Sequence, residues 1–344
     1  MIRFTWLQFR VQARVAMAAL VAFAVVLMVT GPHLASLFAA SGISTCHANT
    51  CATAAGAFLS RLAVTSPYPI VYLLGIGIIL AAPAIIGIFW GAPLIARELE
   101  TRTFALAWTQ SISRTRWLVA KLAVTGFAAM LVTEALSLMD ALWADPIGKA
   151  IGLQGSDPVA SVFGQGRLGL LVFPTSGIAP LGYAAFAFAL GTASGVFIRH
   201  AVPAMAVTLA IFAAIQIAMP LWARPHLIPP NRMTTTIEAA QLNFGSLTAT
   251  VVPGRPGAWI ISSGARDAKG RPVTMLPAAC QGAPPPAKPL NPALCMDRRG
   301  FREAITYQPA SRYWPLQWIE TGIFLALAVA LTGLCFWRLG RRRI

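Results

Sequence analysis

Of 344 residues, 57% are hydrophobic and only 11% charged, against about 25% charged in ordinary soluble domains. That excludes a pair of water-soluble domains, because uncharged stretches near the roughly 20 residues a bilayer demands return along most of the chain. The formal charge of +16 does not mark a nucleic-acid binder either: Lys and Arg stand between the apolar runs, where they flank membrane segments, and form no groove-lining stripe with aromatics.

Six spans are predicted. The first, Val15 to Leu37, is longer than the core of a cleavable signal, about 7 to 15 residues, and reads as a retained helix. Ahead of it Arg3, Arg10 and Arg14 fall on one helical stripe near Trp6, which fits a short helix in the inner headgroup layer. Span two, Ile70 to Leu94, contains Pro83, expected to kink it. It also carries Gly87 and Gly91, a spacing that lets helix backbones approach closely. Span three covers Leu118 to Trp143. Spans four, Gly177 to Ile198, and five, Ala201 to Trp222, are parted only by Arg199 and His200, which demands a tight helical hairpin. Gly191 and Gly195 repeat the small-residue spacing.

The segment Ala223 to Tyr313 is rich in Pro and Gly, with a breaker run at Pro284, Pro285 and Pro286. Within it, Gly245 to Val252 and Ala258 to Ser262 flank Pro253-Gly254-Arg255-Pro256-Gly257 and suit a small hairpin, a structureless linker being the alternative. Span six, Trp314 to Trp337, ends in Arg338, Arg341, Arg342 and Arg343. The expected fold class is an all-α integral membrane protein of about six transmembrane helices, with a large extracytoplasmic loop domain of mixed or β character between spans five and six. Residues 1–222 hold spans one to five and a cytoplasmic loop at 95–117, 223–313 form the outer domain, and 314–344 the sixth span and basic tail.

The basic amino terminus, the loop bearing Arg97, Arg102, Arg114 and Arg116, and the arginine tail share one side if the span count is even, which puts both termini in the cytoplasm of a plasma membrane. Cys46, Cys51, Cys280 and Cys295 then lie outside, where disulfides persist. Cys46 with Cys51 and Cys280 with Cys295 is the simplest pairing, and two other connectivities stay open. A metal at Cys46, His47 and Cys51 is disfavoured, since zinc usually wants four ligands and only His33 lies near.

No phosphate-binding loop, nucleophile elbow or zinc-protease motif occurs, so the chain is expected to be no enzyme, to need no cofactor, and to leave any ATP hydrolysis to another protein. The match at Gly164, Gly166 and Gly169 follows no strand and reads as chance. Inside the spans Glu134 and Glu320 stand out, with Asp140 near an outer boundary. Intramembrane carboxylates are costly, and no Lys or Arg is expected within the spans to neutralise these two. Either they line an export path that favours cationic or amphipathic cargo, or they snorkel outward or bond neighbouring helices.

The loop from Ala96 carries Arg97-Glu98 just after span two, Thr103 five residues past the glutamate, Ser113-Arg114 further on, and Lys121 at the start of span three. This pattern resembles the cytoplasmic loop of ABC transporter permeases of the type-2 exporter class, with Arg102 where those proteins often have Gly and Ser111 where they often have Pro. The resemblance implies a permease that exports a substrate, paired with a second permease copy in the lipid bilayer and docked to a cytoplasmic ABC ATPase subunit, with no nucleic acid involved. It also implies that Arg97, Glu98, Thr103, Ser113, Arg114 and Lys121 couple the spans to that ATPase. An ion-coupled secondary transporter and a membrane-anchored sensor or accessory protein are the rival readings.

Overall fold

The computed structural model describes residues 2–46, 50–100, 114–153, 163, 166–237, 242–243, 246–247, 252–274, 277, 280 and 292–341. Six helices in it are long and apolar enough to cross a membrane: Phe9–Ala40, Tyr68–Glu98, Leu118–Leu153, Ala179–Ile198, Ala201–Leu227 and Ala310–Arg338. The chain is an all-α membrane protein with a small mixed domain in its carboxyl-terminal third, as its composition required.

Helix α1 (Ile2–Ala40) runs unbroken, so the amino-terminal turns are not a separate headgroup-layer helix. At about 1.5 Å per residue it is about 58 Å long, against a hydrocarbon core of about 30 Å. The surplus overhangs the bilayer and carries exposed Arg10 out of it, while Phe9 packs edge-on against Trp90 at 4.8 Å. Helix α2 (Cys51–Val64) was not visible in the sequence as an element, being shorter than a span. It buries Ala55, Phe58, Leu59 and Leu62 in the cluster that also holds Leu34, Trp143 and Ile147, and the Cys46–Cys51 disulfide ties down its first residue.

Span two comprises α3 (Tyr68–Ile86), a π turn at Gly87–Gly91 and α4 (Ala92–Glu100). Pro83 lies one turn ahead of the point where the helix widens. Span three is part of α5 (Arg114–Leu153); spans four and five begin as α6 (Ala179–Ile198) and α7 (Ala201–Ala218). The small-residue helix α6 is the hub of the bundle, buried along most of its length. The two glycine pairs meet each other across spans two and four. A Cβ on Gly191 would sit 2.1 Å from the Gly87 carbonyl oxygen, and one on Gly195 2.4 Å from that of Ala92. Only glycine lets these backbones come so close.

After a π turn at Met219–Ala223, α8 (Arg224–Leu227) extends span five beyond the boundary at Trp222 that hydropathy gave. The strands that follow are β1 (Asn231–Thr235), β2 (Leu242–Asn243), β3 (Ser246–Leu247), β4 (Trp259–Arg266), β5 (Pro272–Val273), then helix α9 (Pro292–Arg298), β6 (Arg302–Gln308) and α10 (Tyr313–Arg341). The larger sheet is antiparallel in the order β1-β6-β4-β5. The local hairpin across 253–257 is not formed among the described residues: β4 pairs with β6, and β3 with β2. Spans five and six deliver β1 and β6 side by side, and a long ready-made edge outcompetes a short local turn. Below the sheet, Gln308 donates to the carbonyls of Ile228 (2.6 Å) and Pro225 (3.4 Å), and Arg312 to Pro229. The Cys280–Cys295 disulfide lies buried with Ile237, Ala265 and Met296.

Candidate functional site

The end of span two extends past the apolar run because its last turns are amphipathic, Ile95 and Ala96 buried and Arg97 and Glu100 exposed. Glu98 reaches the ammonium of Lys121 in an ion pair, their side chains 16% and 2% exposed. Lys121 sits on α5, so the pair fastens span two to the start of span three across 23 positions of sequence. A lysine this deeply covered persists only with such a partner.

Glu100, two residues on, turns the other way. Its Oε2 lies 3.4 Å from the Ala201 amide and its Oε1 3.7 Å from His200 Nδ1. A carboxylate at the first amide of α7 complements the positive end of that helix. The turn itself is closed by Arg199 in the left-handed region (φ 66°), whose amide returns to the Gly195 carbonyl. Sequence alone offered one signal for this contact, the two-residue gap between spans four and five. Ile95, Leu118, Val196 and Cys335 pack beneath, and the Arg338 guanidinium lies 5.6 Å from the Phe197 ring centre. The ends of spans two, four and six and the starts of three and five therefore converge.

Of the remaining predicted coupling residues, Thr103 and Ser113 lie outside the described residues, and Arg114 is placed only as the first residue of α5.

The other half of the bundle holds the carboxylates. Glu320 is fully buried and takes a bidentate pair from Arg224, Nε to Oε2 at 2.8 Å and Nη2 to Oε1 at 2.9 Å. Tyr183 donates to the same carboxylate, and the guanidinium lies 4.2 Å from the Phe173 ring centre. This corrects the expectation that no cation is available within the spans: the extra turns of span five bring one in. The sequence hid it because a lone arginine beyond an apolar run looks like a boundary marker, and only the pairing makes its burial affordable.

Glu134 and Asp140 on span three differ. Each has a buried carboxylate oxygen, Oε2 and Oδ1, with no hydrogen-bond partner among the described residues. Asp140 is pressed against span two, where a Cβ on Gly75 would sit 2.2 Å from its Oδ1.

Between spans three and four the stretch 166–178, irregular apart from a single 3-10 turn at Phe173–Thr175, folds back into the protein and buries Leu168, Phe173 and Thr175. Irregular backbone at such depth needs internal partners. Gln317 of span six supplies them, donating to the Phe173 and Ser176 carbonyls at 3.1 and 2.9 Å and accepting the Ala179 amide at 2.8 Å. Ser137 donates to the Thr175 carbonyl and Tyr313 to the Ser176 hydroxyl.

The profile of a family described as "ABC-2 membrane transporter related" matches residues 17–224, more than half of the chain. No curated protein and no solved structure matches it. The matched region holds most of span one, spans two to four, span five as far as Arg224, and Glu98, Lys121, Glu100 and the 199–200 hairpin. The chain belongs to the ABC-2 membrane transporter related family and is a transmembrane permease of the ABC transporter class.

Proposed function

We propose that this permease is the membrane half of an ATP-driven exporter of the plasma membrane, with both termini cytoplasmic. Hydrolysis takes place on a separate ATP-binding subunit, since the chain carries no phosphate-binding loop of its own. A second permease copy completes the complex, and the segment between spans five and six faces outward. The observation that carries this reading is the convergence of span ends around the Glu98–Lys121 pair and the Glu100 contact with the 199–200 hairpin. A soluble partner pressing on that end moves spans two, three and five together, and nucleotide can bias the spans only through contacts that differ between two arrangements. Arg97, exposed on the outer face of α4, is the docking residue, with Thr103, Ser113 and Arg114 in the same loop. Glu98 and Lys121 hold the lever to the bundle.

For the path, Glu134 is the carboxylate available to cargo, whereas Glu320 is occupied by Arg224 and Tyr183. The test is purification of the intact complex from membranes. Arg97→Ala is expected to lose the ATPase while keeping the permease folded, and Glu98→Ala to lose it together with thermal stability. Retention of the ATPase by both variants would remove this loop from the coupling role. Unchanged export of cationic and neutral substrates by Glu134→Gln would remove Glu134 from the path.

A further inference from the structure

The domain between spans five and six gathers cations at the end farthest from the helices. β6 runs from Arg302 to Gln308, which is bonded to the last carbonyls of span five. At about 3.4 Å per residue, Arg302 stands about 20 Å from those helix ends. There the β4–β5 turn and the α9–β6 turn lie side by side: a Cβ on Gly300 would be 3.3 Å from that of Ala268, and Arg266 is directly opposite Arg302. Glu303, next to Arg302 on β6, is buried, and among the described residues Arg266, Lys269, Arg271, Arg298, Arg299 and Arg302 share these turns with two further acids, Asp267 and Asp297.

Both acids are already engaged, Asp297 with Arg302 at 2.5 Å and Asp267 with Arg271 at 2.9 Å. The backbone amide of Arg271, ahead of its side chain and the Lys269 amide, holds the Asp267 carboxyl below the usual carboxylate range, so it is ionised. Lys269, Arg298 and Arg299 are exposed and form no ion pair among the described residues. Like charges opposed across antiparallel strands cost stability.

The protein's own bilayer is too far away to be the partner: with a Debye length of about 8 Å at physiological salt, that height is more than two Debye lengths and the headgroup field has fallen roughly tenfold. Guanidinium forks match phosphate oxygens in pairs. We propose that this tip docks a phosphodiester-bearing polymer of the cell envelope, outside the membrane. The location rests on the outward reading of this domain; the binding chemistry does not.

The full chain carrying Thr274→Cys, an exposed position just past β5, is labelled there with an environment-sensitive dye in nanodiscs of neutral lipid and titrated with short-chain inorganic polyphosphate. The triple variant Lys269→Gln/Arg298→Gln/Arg299→Gln is expected to bind roughly 10- to 100-fold more weakly and to lose about one unit of salt slope per contact removed. Its melting temperature should match the parent's, because these side chains form no ion pair or side-chain hydrogen bond among the described residues. Lys269→Glu alone, on a turn outside the core, gives a partial loss in the same direction. Arg10→Gln/Arg14→Gln/Arg338→Gln, at the other end of the molecule, leaves the dye's response unchanged. Equal binding by parent and triple variant would overturn the proposal, as would a dye response to phosphatidylglycerol vesicles but not to polyphosphate. In intact cells an impermeant maleimide should reach Thr274→Cys; failure to do so would overturn the outward placement whatever the nanodiscs show.

Discussion

Arg224 and Glu320 form a pair whose value depends on both members being present, with Arg224 Nη1 the one guanidinium nitrogen left without a hydrogen bond among the described residues. Both are fully buried, so removing either leaves a bare charge in a medium that cannot solvate it. Arg224→Gln and Glu320→Gln are each expected to lower stability by about 3–5 kcal/mol, while the double change Arg224→Met/Glu320→Met recovers most of the loss. Thermal unfolding of detergent-solubilised protein reads this directly, and single variants melting with the parent would show that the pair carries little. Gln317 is a second such residue. With three backbone groups depending on it, Gln317→Leu is expected to cost about 1–3 kcal/mol for each group left unbonded. The effect should appear as faster hydrogen exchange in 166–178.

Among the elements, the contact between spans two and four is set by backbone and not by side-chain filling. Gly191→Ala places a methyl group against the Gly87 carbonyl, and neither backbone can yield without moving a helix. A loss of at least about 1–3 kcal/mol is expected from overpacking. Gly77→Ala, on the same span two but facing open space, should be neutral or slightly stabilising, by up to about 1 kcal/mol of helix propensity. Comparing their melting temperatures separates close packing from propensity. The π turn at Gly87–Gly91 belongs to the same contact, since widened turns mark sites where a helix departs from its regular ladder for a purpose.

Across the whole molecule, two bodies of different character are joined through one seam. The bundle buries small residues around α6, and the β1-β6-β4-β5 sheet is seated on spans five and six through Gln308 and Arg312. The sheet's own core is small, and its disulfide closes a separation of 15 residues, a loop worth about 3 kcal/mol of chain entropy. Cys280→Ser/Cys295→Ser is therefore expected to loosen 252–308 in hydrogen exchange while α6 and α10 keep their protection. Loss of protection throughout the bundle would mean that the two bodies unfold as one.

By itself the sequence determined the membrane class, six spans and the hairpin between four and five, because bilayer thickness and charge cost act on each segment independently of its neighbours. The Glu98 and Lys121 positions were legible in the same way, as a spaced motif. Their contact with each other was not, nor the capping role of Glu100, the pairing of Arg224 with Glu320, the meeting of the two glycine pairs or the pairing of β4 with β6. Each of these joins residues far apart in the chain, and each depends on a partner that changes the energetic meaning of a residue: a buried arginine is prohibitive alone and stable beside a carboxylate. Local pattern carries the first kind of information, and only the tertiary structure, by bringing the partners together, decides the second.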